Sequence, residues 1–180
     1  MEVKPIRGEY AMLRTAAGLL IVASLCACRG KDRSATPADV PAVRYIIDSL
    51  NNRIATLIGA GQADSASTLF ASDVWQMPPN MMPLVGRDSL RTFWTNMTKS
   101  GSVEFNLQTQ DVIAADSIAV ERGSYNLKYT ARKGAAVPSF VDHGNYVVLW
   151  RQDNDGHWRV VWDAPVSTVP MPTPPPARPR

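Results

Sequence analysis

A change of hydrophobic period at Gly101 is the feature that most constrains the fold of this chain. Before Gly101, apolar residues recur three and four positions apart, as they do on one face of an α-helix. After it, Val103, Phe105 and Leu107 alternate with polar residues, as in a strand with one buried face. Three helical segments followed by four long sequential strands predict an α+β domain, with helices packed on one side of an antiparallel sheet.

Turn and capping residues set the expected boundaries of these elements. Asp39 is suited to cap the first helix, and glycines at 59 and 61 are suited to end it. The sequence predicts helices at 39–59, 62–71 and 88–101, a strand at 73–77, a loop at 78–83, and long strands from 103, at 117–131, at 140–152 and at 157–167.

The N-terminal region carries a second informative pattern, Leu25-Cys26-Ala27-Cys28, at the end of an apolar run that follows a basic start. The run at 16–25 is too short to span a bilayer but has the length of a signal-peptide core. Leu-x-Ala-Cys resembles the bacterial lipobox, in which the cysteine, here Cys28, takes a diacylglycerol group. An ordinary secretory signal is the alternative. With Arg29 after the cysteine, the pattern predicts an envelope lipoprotein, on the outer membrane facing the periplasm if the cell is Gram-negative.

Composition supports one exported domain and argues against nucleic acid as a partner. The expected organisation is a signal peptide at 1–27, a lipidated cysteine and flexible tether at 28–38, the domain at 39–169 and a disordered Pro-rich tail at 170–180. The calculated pI of about 9.0 comes from the two ends. Between residues 34 and 177, 11 Lys and Arg face 13 Asp and Glu, a balance of −2. A nucleic-acid binder needs its basic patch on the folded surface.

Several phrases, in this order and spacing, resemble SnoaL-like domains of the superfamily that includes nuclear transport factor 2 and ketosteroid isomerase. They are Ala60-Gly61-x-x-Asp64, Leu69-Phe70-Ala71-x-Asp73-Val74-x-x-x-Pro78, Gly86-Arg87-Asp88-x-Leu90-x-x-Phe93-Trp94, Asp142-x-Gly144-x-Tyr146-x-x-x-Trp150-Arg151, Asp155-Gly156-x-Trp158 and Trp162-Asp163. The resemblance covers about residues 40–169. It implies a cone-shaped α+β barrel in which a curved sheet wraps a long helix and leaves a pocket, and it implies a homodimer that pairs through the sheets.

The resemblance does not by itself imply ketosteroid isomerase chemistry, which needs a carboxylate base and two acidic donors. An ungapped match places the base position at Pro78 and the tyrosine donor position near Ile54. For the third position, Asp142 is the nearest acid. We therefore expect no isomerisation by that mechanism, and the question of another enzymatic activity stays open.

Three residues remain candidates for other acid–base chemistry. Asp142 and His143 are neighbours on a predicted strand, so they point to opposite faces and cannot form a dyad with each other. Asp163 follows Trp162 on the last strand. A structural role for each of the three is the alternative. The two histidines, His143 and His157, show no ligand spacing, so the sequence predicts neither a metal nor a cofactor.

Large aromatic and thioether side chains are frequent for a domain of this size, and an apolar cavity with a few polar groups suits a small hydrophobic ligand. The predicted pocket residues are Trp75, Met77, Asn80, Trp94, Tyr125, Tyr146 and Trp162. The favoured hypothesis is non-catalytic binding of a small apolar molecule. The alternatives are an isomerase, dehydratase or hydrolase that uses Asp142, His143 or Asp163, and a dimeric assembly or interaction module.

Overall fold

The computed structural model describes residues 39–170. The predicted signal peptide, Cys28 with its tether, and the Pro-rich tail beyond residue 170 lie outside the described residues. The helices are α1 (Val40–Gly59), α2 (Ala63–Ser67) and α3 (Arg87–Ser100), and the strands are β1 (Phe70–Gln76), β2 (Leu84–Val85), β3 (Gly101–Ala115), β4 (Ile118–Ala131), β5 (Phe140–Gln152) and β6 (Trp158–Ser167). The α+β prediction is confirmed, with all three helices preceding the four long strands.

The region between α1 and α3 differs most from the expectation. The second helix ends at Ser67 rather than near Ala71, and β1 already begins at Phe70. Ser67 and Thr68 turn their hydroxyls back onto carbonyls of the preceding turn, an arrangement that competes with further helix. The short strand β2, which the sequence analysis did not predict, pairs with the end of β1 through Trp75 and Val85.

The six strands form one curved, unclosed sheet in the order β2-β1-β6-β5-β4-β3. Neighbouring strands from β3 to β6 pair antiparallel, whereas β1 pairs parallel with β6, the last strand within residues 39–170. Residues of β1 and β6 therefore lie side by side although they are far apart in sequence.

Helix α1 packs against the inner face of the sheet, chiefly against β3. The Asp39 side chain accepts a hydrogen bond from the Ala42 amide and caps the helix, as predicted. The buried positions of α1 are Val43, Ile47, Asn51, Ile54 and Ile58, at spacings of three and four. One polar residue, Asn51, thus lies in the middle of the buried apolar stripe.

Alternation along the strands gives the sheet two different faces. On β5, Tyr146, Val148 and Trp150 are buried on the inner face, while Val147 on the outer face is 50% exposed. Within residues 39–170, no helix is long and apolar enough to cross a membrane.

Candidate functional site

A cavity of about 470 Å³ lies between the inner face of the sheet and the helices. Its walls are mainly apolar and aromatic and include Phe93, Trp94, Phe105, Leu107 and Leu127. Other lining residues, such as Met81, Val137 and Val141, are more than half exposed and mark its mouth. The volume is in the range of small-molecule sites, which are concave and mostly apolar with a few polar groups.

Asp163 and Gln76 form one polar position on the cavity wall. The two residues are register partners on the parallel strands β6 and β1, and Gln76 Nε2 donates to Asp163 Oδ2 at 2.9 Å. Burial raises the pKa of Asp163 to about 6, the bond from Gln76 opposes the shift, and the negative charge of Glu121 adds to it. Asp163 is therefore an acid inside an apolar cavity whose pKa lies well above that of an exposed aspartate.

Two buried polar atoms at the cavity lack a hydrogen-bond partner among the described residues. They are Gln76 Oε1 and Trp94 Nε1, and their residues are only 7% and 5% exposed. A buried polar group without a partner costs free energy, so each such group calls for an explanation. Both residues line the cavity, although these two atoms have almost no exposed surface of their own.

Glu121 lies beneath the cavity and is fully buried. Its Oε1 accepts from Asn51 Nδ2 at 2.7 Å, Thr109 Oγ1 at 2.8 Å and the Tyr146 hydroxyl at 2.6 Å. Its Oε2 accepts from Trp150 Nε1 at 2.9 Å. Four donors from α1, β3 and β5 therefore converge on one carboxylate of β4, which ties the helix to the sheet.

Gly123 makes one of these contacts possible. It lies opposite Tyr146 in the β4–β5 pairing, and a Cβ at this position would overlap the Tyr146 ring and hydroxyl. Without that Cβ, the tyrosine lies across β4 and reaches Glu121. Burial and the charge of Glu121 both raise the pKa of Tyr146, so its hydroxyl stays protonated as a donor.

Asp142 lies nearer the mouth of the cavity and is hydrogen-bonded to two neighbouring side chains. It accepts from the Tyr125 hydroxyl at 2.8 Å and from the Ser167 hydroxyl. Burial, and next the hydrogen bond to Asp142, raise the pKa of Tyr125. Ser167 is four residues beyond Asp163 on β6, so the two acids are separated by roughly 13 Å along the strand.

The structure brings some of the predicted residues together and separates others. Asn80, Trp94, Tyr125, Tyr146, Asp142 and Asp163 line the cavity. His143 does not, because it points to the outer face, opposite to Asp142, as strand alternation requires. Its carbonyl accepts from the backbone amide and hydroxyl of Thr168.

Trp75, Met77 and Trp162 do not match their assignment to the pocket lining. Trp75 and Trp162 are register neighbours on β1 and β6 and are 45% and 54% exposed on the outer face. The inward positions next to them carry the smaller or more polar Val74 and Gln76. Met77 follows the last residue of β1, and its amide donates to the carbonyl of Asp163.

Glu121, Gln76 and Asn51 were missed by the sequence analysis, although each had a signal. Glu121 lies four residues before Tyr125 on β4, so the alternation of a strand places both side chains on the same face. Gln76 has the parity of buried Val74, and Asn51 interrupts the apolar stripe of α1. A polar residue in an inward register was the common signal. Among residues 39–170, no cluster of three or more His, Cys, Asp or Glu side chains is arranged to hold a metal ion.

Comparison with known proteins agrees with this architecture. The model of the SnoaL-like domain family matches residues 42–161, and the chain belongs to that family. No curated protein matches the chain in sequence.

Several solved structures share the fold at low identity. A conserved protein from Planctomyces limnophilus DSM 3776 is 19% identical, with a TM-score of 0.64 over 71% of this chain and 98% of its own. A ketosteroid isomerase-like protein from Erwinia carotovora atroseptica SCRI1043 is 14% identical, with a TM-score of 0.60 over 70% and 96%. A nuclear transport factor 2-like superfamily protein from Salmonella enterica serovar Typhimurium LT2 is 15% identical, with a TM-score of 0.62 over 73% and 95%. At these identities the likeness concerns the fold, which hosts many functions.

Proposed function

We propose that the domain binds a small, largely apolar molecule in the cavity without transforming it. The observation that carries this proposal is the open volume of about 470 Å³ behind an apolar and aromatic lining. A domain with no ligand to hold gains stability by filling such a space with side chains, because interiors are close-packed.

Paired substitutions on β5 test this proposal. Val148 lines the cavity, whereas its neighbour Val147 is on the outer face. Native mass spectrometry of the purified chain, with thermal-shift assays using steroids and fatty acids, should detect a ligand in the wild type and in Val147→Phe. Val148→Phe should lose it while circular dichroism shows an intact fold. Equal ligand binding by Val148→Phe and the wild type would overturn the proposal.

An acid–base enzyme is the second candidate, and Asp163 is the residue that favours it. A general acid or base works best with a pKa near the working pH, and the pKa of Asp163 is raised to about 6 inside the cavity. Asp142 is engaged by two hydroxyls, and His143 lies on the outer face. Turnover of an enolisable ketone that disappears in Asp163→Asn, with binding of the ketone retained, would favour catalysis. Turnover that persists in this variant would exclude Asp163 as the acid or base.

A homodimer through the outer face of the sheet is proposed as the assembly state. This face exposes Trp75, Trp162, Val147, Val166, Val120 and Ile113 across five neighbouring strands. The ion pairs Arg122–Asp111 and Arg151–Asp73 add charges of both signs. A twofold contact needs a self-complementary surface of this kind. Light scattering should give a dimer for the wild type and a monomer for Trp162→Glu; a monomeric wild type would contradict the proposal.

Attachment to the envelope through a lipid on Cys28 is a further proposal, supported by the sequence pattern alone. Metabolic labelling with palmitate should mark the wild type in a bacterial host and not Cys28→Ala. Label that persists in Cys28→Ala would contradict the anchor.

A further inference from the structure

The charges around the cavity are all of one sign. Of its described lining residues, Asp142 and Asp163 are acidic and none is lysine, arginine or histidine. Buried charges in proteins are normally paired, because an unpaired charge is costly to desolvate. The excess of negative charge in the cavity therefore favours ligands that carry a positive charge.

The two aspartates differ in how much of this cost their neighbours offset. Asp142 accepts two hydroxyl hydrogen bonds, from Tyr125 and Ser167. Asp163 accepts one side-chain hydrogen bond among the described residues, from the neutral amide of Gln76, and the negative Glu121 is near it. Neither aspartate has a countercharge in the cavity lining, and Asp163 has fewer hydrogen bonds to offset its charge.

A second unmatched acceptor belongs to the side chain that contacts Asp163. Gln76 directs Nε2 to the carboxylate, which turns Oε1 away, and Oε1 is buried without a partner. The opposite amide orientation would bring two acceptor oxygens together, so the hydrogen-bond network fixes this one. A carboxylate and a carbonyl oxygen on register-paired strands thus both need donors.

The chemistry of possible ligand groups narrows the choice. A carboxylate would add a third negative charge to the cavity, and a hydroxyl carries no charge that could balance Asp163. An ammonium group has three donors and a positive charge. The walls are also suited to a cation, because Trp94, Phe93 and Phe105 are grouped together and aromatic faces attract positive charge.

We propose that the ligand of this cavity is a primary amine on an apolar body, with its ammonium group paired to the Asp163 carboxylate. The inference rests on the proposed binding function, and it names the chemical class that the site selects.

A matched series of probes with one apolar body tests the selectivity. Adamantylmethylamine, adamantylmethanol and adamantane carboxylate are titrated into the full chain at neutral pH by calorimetry. We expect the amine to bind roughly tenfold more tightly than the alcohol, and the carboxylate to bind more weakly than both. An alcohol that binds as tightly as the amine would overturn the inference.

One variant and a control locate the effect. Asp163→Asn should lose roughly tenfold in affinity for the amine and change the affinity for the alcohol little. Asp116→Asn is the matched control, on an exposed turn residue. Unchanged amine affinity in Asp163→Asn would also overturn the inference.

The same experiment separates this inference from the proposed function. If no probe binds and no ligand co-purifies, the binding function itself fails and the inference falls with it. A different result is that the wild type binds the alcohol as tightly as the amine and that Val148→Phe abolishes this binding. In that case the cavity binds ligands, and the amine assignment alone is wrong.

Discussion

Glu121 and Asp163 are two carboxyl groups on the inner side of one sheet, and they differ in how many hydrogen-bond donors surround them. Glu121 is sealed beneath the cavity by four donors, whereas Asp163 lines the cavity with one. A closed network of this kind fixes the helix on the sheet. An open one leaves hydrogen-bonding capacity for something from outside. The difference indicates that Glu121 holds the site together and that Asp163 meets the ligand.

The largest expected effect is that of Glu121→Gln, which should lower the free energy of unfolding by about 3 kcal/mol. Either amide orientation creates a conflict, because the new amino group faces Trp150 Nε1 in one and Asn51 Nδ2 in the other. Urea unfolding measures the change. Glu104→Gln is the control, since Glu104 is an exposed residue of β3 paired with Lys128. Equal stability of the two variants would remove the contrast between Glu121 and Asp163.

Asp163→Asn should act in the opposite direction and stabilise the fold at neutral pH by about 3 kcal/mol, because each unit of pKa shift corresponds to about 1.36 kcal/mol. The pKa of Asp163 rises from 3.8 in the unfolded chain to about 6 in the fold, so the folded state binds more protons between these values. The free energy of unfolding of the wild type therefore carries a penalty that grows as pH rises from about 4 to 6 and is complete above it.

Urea unfolding of Asp163→Asn and wild type across this pH range checks the sign. The advantage of the variant should be absent near pH 4 and largest above pH 6. Asp116→Asn should show no such trend. If Asp163→Asn is less stable than the wild type at neutral pH, Asp163 stabilises the fold as Glu121 does, and the contrast between the two acids is wrong.

Tyr146→Phe should cost about 1 kcal/mol, because Glu121 Oε1 keeps its bonds from Asn51 and Thr109. The ring remains in the cavity wall, so ligand affinity should stay within a small factor of the wild type. Thermal unfolding and calorimetry measure the two quantities, with the exposed Tyr45→Phe as the control. A large loss of binding with little loss of stability would move Tyr146 from the closed network to the ligand site.

Asp142→Asn should have the smallest effect, about 0.5 kcal/mol. Both partners of Asp142 are hydroxyls, which can turn to accept from the new amide as well as donate to it. Chemical denaturation at neutral pH is the measurement. A cost as large as that of Glu121→Gln would show that the mouth of the cavity is fixed as firmly as its base.

Most of the fold follows from the sequence, because both periods extend over long segments. The four long strands agree with the expected positions to within a few residues. The site was harder to predict, because the size and apolarity of a residue do not determine which face of a strand its side chain occupies. Trp75 and Trp162 are large, but their parity places them on the outer face, whereas Gln76 and Glu121 are polar and face inward. The convergence of Glu121 with Asn51 depends on how α1 crosses the sheet, which local patterns do not encode.

The parallel pairing of β1 with β6 also determines when the site can exist. Gln76 and Asp163 are separated by 87 positions, and β6 is the last strand to leave the ribosome. A nascent chain that ends before β6 has every helix and the base of the cavity wall but lacks Asp163 and its pairing with Gln76. Contacts of such long sequence separation form late, because other contacts must first offset the entropic cost of closing the loop between them. Ligand binding therefore reports that the whole domain, from first helix to last strand, has finished folding.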